Sequence, residues 1–361
     1  MTGIALLGAG IFAREEHLPA ILAVPSLTLK AIYSRSRQSA EALAASLPDP
    51  SSVDLYYDVP AEPGRSLADL LRRGRDDVAA VDVALPITRQ PGVVRAALAA
   101  GKHVLSEKPV AGDVEGARAL LEWYAQRHPA GEAGEEAARP LWAVAENWRF
   151  MESLLYAAER VREVGGRVVT FRLERYGFMS ADNKYFNTEW RKVPQYQGGF
   201  LLDGGVHFVA GLRHLLAAAG QEIKQLTGFT TLLDERLIPA DTIHAVALTQ
   251  DGKAGNITIT FGTEFKSSMD IEIVTTNGRV VWTPTEVKTV VRQADGTEKT
   301  ETKQFAYSSG VKAEVEEFAR AVERGELDGR QTPEEALKDL EILQRLLESG
   351  AAGAAVKAIG V

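Results

Sequence analysis

The sequence predicts an α/β protein of two domains: a parallel sheet covered by helices at the N-terminus, then an α+β domain built on a large, mostly antiparallel sheet. Three observations carry that expectation. Strands and helices alternate over the first 127 residues, closely spaced short strands take over after Val164, and 361 residues are more than one hydrophobic core usually organises.

The elements follow in order. Gly3–Leu7 is an apolar strand that ends at Gly8, a helical pattern runs on to Leu22, and Leu27–Tyr33 is the next strand, a β-α-β start. Helices at Ser39–Leu47, Ser66–Arg73 and Pro91–Ala100 alternate with strands at Asp54–Tyr57, Ala80–Leu85 and His103–Ser106, and Val114–Arg127 reads as a crossover helix. His128–Pro140, rich in Gly, Ala and Glu with no apolar period, reads as an exposed loop. Leu141–Ala145 is a short strand and Glu152–Val164 an amphipathic helix. Strands are then expected at Arg167–Tyr176, Gln225–Leu233, Thr242–Thr249, Gly255–Gly262, Met269–Thr275, Arg279–Thr283 and Val287–Gln293, with turns at Asp251-Gly252 and Asn277-Gly278. A helix at Gly198–Ala219 interrupts them, helices at Ala313–Arg324 and Pro333–Glu348 follow, and the Ala/Gly-rich tail from Gly350 is expected to fray. The domain limits on this reading are 1–127 for the parallel-sheet domain, 128–150 for the loop and connecting strand, 151–312 for the α+β domain, and 313–361 for helices packing back.

Composition narrows the function. Hydrophobic residues at 45% and charged residues at 25% are ordinary for a globular chain. A net charge of −8 argues against a general binder of nucleic-acid backbones or anionic membranes. With no cysteine there is no disulfide, thiolate nucleophile or Cys-based metal site, so redox chemistry has to come from a cofactor. No apolar run approaches the ~20 residues of a membrane-spanning helix. A strand that begins at Gly3 leaves no room ahead of it for a cleavable signal, so the expected compartment is the cytoplasm.

Three constellations carry chemistry. Gly8-Ala9-Gly10-Ile11-Phe12-Ala13 is a G-x-G-x-x-A turn between a strand and a helix, the context of the dinucleotide fingerprint that defines a Rossmann domain. Gly8 permits the turn, Gly10 lets backbone approach a pyrophosphate, and the N–H groups that open the helix favour an anion. At the end of the second strand, where an NAD enzyme places an acid, stands Ser34-Arg35-Ser36-Arg37. One charge-assisted bond of ~1.5–3 kcal/mol from such a guanidinium to a 2′-phosphate favours NADP over NAD by roughly ten- to a hundredfold. The competing reading is that Arg35 and Arg37 merely solvate a turn. Glu107-Lys108-Pro109 leaves the sheet at the carboxyl end of the strand His103–Ser106, where open α/β sheets bind ligands; a partly desolvated lysine there can exchange a proton with a substrate oxygen, with Glu107 positioning it. Asp203 and His207, four apart in a glycine-rich helix, share one face and can meet one ligand; the alternative is a structural Asp–His contact. His17, His214 and His244 read as structural or surface residues, and no two histidines form a metal-ligand pattern, so no metal is expected.

Together these segments resemble the glucose–fructose oxidoreductase/inositol dehydrogenase/rhizopine catabolism (Gfo/Idh/MocA) family of NAD(P)-dependent dehydrogenases. The resemblance runs from the glycine turn through Ala99-Ala100-Gly101-Lys102-His103-Val104-Leu105-Ser106-Glu107-Lys108-Pro109 to Trp190-Arg191 and the Asp203/His207 helix. It implies that Lys108 and His207 handle the proton at the reacting carbon, that Asp203 orients substrate or His207, that Lys108 touches the cofactor, and that Trp190 and Arg191 border the nicotinamide. It also implies cofactor contacts at Gly8, Gly10, Ile11, Phe12, Ser34, Arg35, Ser36, Arg37 and Glu107, and at Arg149 of the Asn147-Trp148-Arg149 segment. The chain departs from the family pattern at Leu85-Pro86-Ile87-Thr88, where Thr-Pro-Asn is common, and at Gln90, where histidine is frequent; cofactor contacts at Leu85, Pro86 and Gln90 are expected to differ. Phe200 replaces the third glycine of a Gly-Gly-Gly run and is expected to narrow the pocket. The implied activity is NADP(H)-dependent hydride transfer at a hydroxyl or carbonyl carbon of a sugar, polyol or small carbonyl compound, in a homodimer or higher oligomer formed through the C-terminal sheet. The rival readings are a non-catalytic NAD(P) sensor on the same fold, which retention of Lys108, Asp203 and His207 tells against, and glycoside hydrolysis through transient oxidation.

Overall fold

The computed structural model describes residues 1–59, 62–72, 75–129 and 139–360. Two compact units emerge, one made of Met1–Glu146 with Val311–Leu337 and one of Asn147–Gly310 with Lys338–Val361.

The first unit is a six-stranded parallel sheet in the order β3-β2-β1-β4-β5-β6. Its strands are β1 (Thr2–Leu7), β2 (Leu27–Tyr33), β3 (Asp54–Tyr56), β4 (Ala80–Val83), β5 (His103–Glu107) and β6 (Trp142–Ala145). Burial on both faces explains the near-continuous apolar runs that mark them in sequence. Between them lie α1 (Leu18–Ala23), α2 (Arg37–Ala44), α3 (Leu67–Leu71), α4 (Gln90–Ala99) and α5 (Val114–Arg127). Side chains start three of these helices: Ser36 caps α2, Ser66 and Asp69 form a capping box on α3, and Asp113 accepts from the Gly116 N–H at 2.7 Å on α5. The sixth strand, β6, belongs to this sheet, pairing Val104 with Trp142 through Glu107 with Ala145, although it falls in the connecting stretch of the sequence reading. Most of the loop expected at His128–Pro140 lies outside the described residues.

In the second unit, α6 (Glu152–Val164) leads to β7 (Val168–Tyr176), followed by the short α7 (Glu189–Lys192) and the long α8 (Gly199–Ala218). Seven strands come next: β8 (Ile223–Thr231), β9 (Thr242–Thr249), β10 (Ala254–Thr260), β11 (Ser268–Thr275), β12 (Gly278–Thr283), β13 (Glu286–Arg292) and β14 (Glu298–Gln304). The chain then passes through α9 (Val311–Arg324) and α10 (Pro333–Ala351) to the two-residue β15 (Lys357–Ala358). The nine strands run β14-β13-β12-β11-β7-β10-β9-β8-β15, and every pair is antiparallel except β7 with β10. Alternation decides the faces: Phe171, Leu173, Ile257, Ile259, Ile271 and Ile273 are buried on the side that α8 covers, while Arg172, Glu174, Asp270 and Glu272 form ion pairs on the other.

Three features differ from the sequence reading. β14 (Glu-Lys-Thr-Glu-Thr-Lys-Gln) is exposed along its whole length, so it carries no alternating apolar signal and is held by backbone pairing to β13; its charges suit a sheet edge. The tail does not fray, because Lys357 and Ala358 pair with β8 and the Gly360 N–H donates to Glu341. A π-helical turn, Ala13–His17, precedes α1, and it buries His17. Among the described residues no helix is long and apolar enough to cross a membrane.

Candidate functional site

The carboxyl edge of the parallel sheet gathers the first set of residues. At the end of β1, Gly8 has φ +132°, and a Cβ there would lie 2.2 Å from the Ala84 carbonyl oxygen, so both backbone and space demand glycine. Its N–H donates to the Tyr33 carbonyl at 2.9 Å, which ties the turn to β2. Gly10 is the opposite case: an added Cβ meets nothing within 4 Å, so bare backbone faces open space. Ile11 and Phe12 are half-buried behind it. Such a turn fits a dinucleotide, because a pyrophosphate needs close backbone approach at this position.

Beyond β2, Ser34 is half-buried and Arg35, Ser36 and Arg37 are exposed. Ser36 is occupied as the cap of α2, accepting from the Ser39 N–H at 3.1 Å. Arg37 donates to Glu41 at 2.7 Å and to Glu62 at 3.0 Å. The Arg35 side chain has no carboxylate partner among the described residues, and nearby Asp58 accepts from the Tyr33 hydroxyl at 2.6 Å. After β4, Leu85 and Pro86 are half-buried, while Gln90 at the start of α4 is buried with its amide oxygen lacking a donor among the described residues.

At the end of β5, Glu107 is buried and the half-buried Lys108 follows it out of the sheet. His17 sits behind them with no exposure, its Nε2 2.9 Å from Glu107 Oε1 and its Nδ1 2.7 Å from Asp82 Oδ2. Burial alone would lower the His17 pKa, but the charge of Asp82 and the hydrogen bonds to Asp82 and Glu107 outweigh it and raise the pKa well above the usual histidine value. The imidazolium thus neutralises one of two buried carboxylates. A third, Glu314 of α9, is fully buried with neither oxygen hydrogen-bonded among the described residues. Burial, then the negative charge of Glu107, push its pKa well above the carboxylate range, so it is held as the neutral acid.

The second unit holds the other set on α8. Asp203 is buried and accepts from Arg191 Nε at 2.7 Å. The Arg191 guanidinium in turn lies 4.0 Å above the Trp190 ring and 5.5 Å from that of Tyr185. Burial and the Asp203 charge raise the Tyr196 hydroxyl pKa, which keeps it a phenol. One turn on, the His207 ring stacks on Trp148, with centroids 5.8 Å apart and planes at 12°. The glycines between them do not open space: a Cβ on Gly204 would be 2.8 Å from the Phe261 ring and one on Gly205 3.2 Å from Leu343, so they admit neighbouring side chains. Phe200 lies edge-on to Phe261 at 5.1 Å. Arg149 is buried in an ion pair with Asp339, which also takes Arg213, so its guanidinium is committed within this unit.

Residues 2–130 match the NAD-binding Rossmann fold of the oxidoreductase family Gfo/Idh/MocA, and residues 161–358 match that family's C-terminal alpha/beta domain. The chain belongs to the Gfo/Idh/MocA family. It is 51% identical to dehydrogenase FPY6 of Fusarium mangiferae over 99% of both chains, and 28% identical to D-xylose 1-dehydrogenase (NADP(+)) 2 of Haloferax volcanii over 98% of both. Among solved structures, an oxidoreductase from Thermotoga maritima superposes with a TM-score of 0.81 at 28% identity, covering 99% of this chain and 98% of that one. This protein is therefore an NAD(P)-binding oxidoreductase with dehydrogenase relatives.

In this Gfo/Idh/MocA chain the edge of one sheet gathers Gly8, Gly10, Ser34, Leu85, Glu107 and Lys108, while one stretch of the second unit gathers Trp190, Arg191, Asp203 and His207. Sequence reasoning missed Trp148 as the plate beneath His207, and it missed Asp82 and Glu314 as company for Glu107. His17 was assigned no partner, because its partners lie 65 and 90 residues away. The one local signal was a histidine on the buried side of the first helical stretch.

Proposed function

We propose that this protein is a cytoplasmic NADP(H)-dependent oxidoreductase acting on a hydroxyl or carbonyl carbon of a sugar, polyol or small carbonyl compound. The observation that carries the reading is the open face at Gly10 after β1 together with the exposed Arg35 after β2, where Ser34-Arg35-Ser36-Arg37 contains no acidic residue. Bound there, NADP(H) supplies or accepts the hydride at its nicotinamide. Gly8, Gly10, Ile11 and Phe12 line the pyrophosphate, and Ser34 and Arg35 take the 2′-phosphate. Lys108 exchanges the proton of the substrate oxygen at Nζ. His207, its ring fixed by Trp148, holds or relays that proton, and Asp203, pinned by Arg191, orients the substrate. In the direction of oxidation the bound nicotinamide would accept the hydride from the carbon, and Lys108 Nζ would take the O–H proton. The outer face of the second sheet carries exposed Phe229 and Val246 and is the face on which two copies would pair.

The test is a Lys108→Ala variant. Turnover is expected to fall by at least ~10²-fold while NADPH, followed by its fluorescence, still binds. Unchanged turnover removes Lys108 from the chemistry, and absence of NADPH binding by the native protein removes the function.

A further inference from the structure

Arg175 ends the inner face of β7, following Phe171 and Leu173, both fully buried. Its guanidinium folds back over Gly177, where an added Cβ would stand 2.0 Å from Nη1 and 2.6 Å from Cζ, so the missing side chain is what seats it. The rings of Phe208 and Phe261 flank Cζ at 5.7 and 5.6 Å, and the Tyr176 carbonyl accepts from Nη1. Other arginines of this unit have carboxylate partners: Arg172 has Asp270, Arg191 has Asp203 and Arg213 has Asp339. Arg175 forms no ion pair among the described residues. Its burial lowers its pKa with no charged neighbour to offset the shift, although a guanidinium stays protonated.

A partly desolvated cation satisfied by one neutral carbonyl is electrostatically incomplete, and charges in such places ordinarily have a counterion. Within the second unit the seat adjoins Asp203 and His207, because Phe208 follows His207 and the Phe261 ring packs on Gly204, next to Asp203. We propose that Arg175 anchors a carboxylate of the substrate, so that the compound oxidised or reduced is a sugar acid or another hydroxy or keto acid. This rests on the oxidoreductase reading above and names its substrate class. One guanidinium balances one negative charge and offers a fork matched to a carboxylate, whereas a phosphate dianion would need a second cation, and among the described residues no charged group is found acting on Arg175.

Matched sugars that differ only at C6 give the test: D-glucuronate against D-glucose and D-galacturonate against D-galactose, with D-glucose 6-phosphate as the phosphate arm, each with NADP and the full-length enzyme. The uronates are expected to have a kcat/KM about 10- to 100-fold above their neutral partners, the range of one charge-assisted bond. In Arg175→Gln that ratio collapses toward one, and Arg175→Lys retains part of it. A merely structural arginine would lower both members of a pair together and leave the ratio intact, which overturns the proposal; so does equal use of uronate and neutral sugar by the native enzyme, or preference for the phosphate. Calorimetry of D-glucuronate and D-glucose, with and without NADPH, reads the anchor without turnover. Heat with glucuronate alone that Arg175→Gln abolishes supports it, and no heat with glucuronate overturns it. Failure of NADPH itself to bind counts separately against the function above.

Discussion

Two guanidiniums flank the end of β2, and the structure separates them. Arg37 is taken by Glu41 and Glu62, whereas Arg35 extends without a carboxylate partner among the described residues. Cofactor choice is therefore expected to rest on Arg35: Arg35→Ala should raise the KM for NADP by roughly ten- to a hundredfold and change that for NAD little, with Arg37→Ala having the smaller effect. Steady-state kinetics with both cofactors check this, and an unaltered NADP/NAD ratio in Arg35→Ala would count against the assignment. At this scale the sequence displayed residue types and spacing but not who is already engaged. Lys108, Asp203 and His207 stand out because strand and helix context surrounds them. The partner of Asp203 is twelve residues away and one partner of Arg37, Glu62, is twenty-five, whereas Glu41, four residues on along α2, is the one local mark that sets Arg37 apart from Arg35.

Among the elements, α9 bears most directly on the first unit. Val311, Val315, Phe318 and Ala319 enter the same core as Ile4, Leu6 and Ile32, and Glu314 on the same face is set near Glu107, Glu146, Asp82 and His17. Because its folded pKa is raised, Glu314 holds a proton that the unfolded chain releases near pH ~4.3, so stability is full at acid pH and falls as pH rises toward the folded value. His17, also raised, contributes stability that is complete below pH ~6.5 and declines as pH rises through its folded pKa. Glu314→Gln makes the neutral form permanent and leaves the His17 contribution in place. The variant's Tm is expected to fall less between pH 5 and pH 8 than the native protein's; equal slopes in a thermal melt would show that Glu314 is already ionised. The amphipathic period of α9 was legible in sequence, as were α5 and α6 to the residue, because apolar spacing marks both, Asp113 caps the start of α5 and Gly165 ends α6. β14 was not, since a strand exposed on both faces has no side-chain period to read.

For the whole molecule, the open question of assembly falls on the outer face of the second sheet. Phe229 is 63% exposed and Val246 42%, beside the ion-paired patch of Arg172, Asp270 and Glu272. If two copies meet there, Phe229→Glu places a charge in an apolar contact and should convert a dimer into a monomer, read by sedimentation velocity; a native protein that sediments as a monomer refutes the pairing. Two sheets of different kind were legible from the switch between strand–helix alternation and strands joined by short turns. Which helix completes which unit was not, because that depends on contacts some 300 residues apart. The return of α9 to the first unit has a consequence for biosynthesis. A ribosome releases the glycine turn and all six strands of the parallel sheet long before it reaches Val311, so the nascent first half waits with the groove for Phe318 uncovered while eight of the nine strands of the second sheet are being translated. Cutting the gene at the nominal end of the nucleotide domain would make that interval permanent.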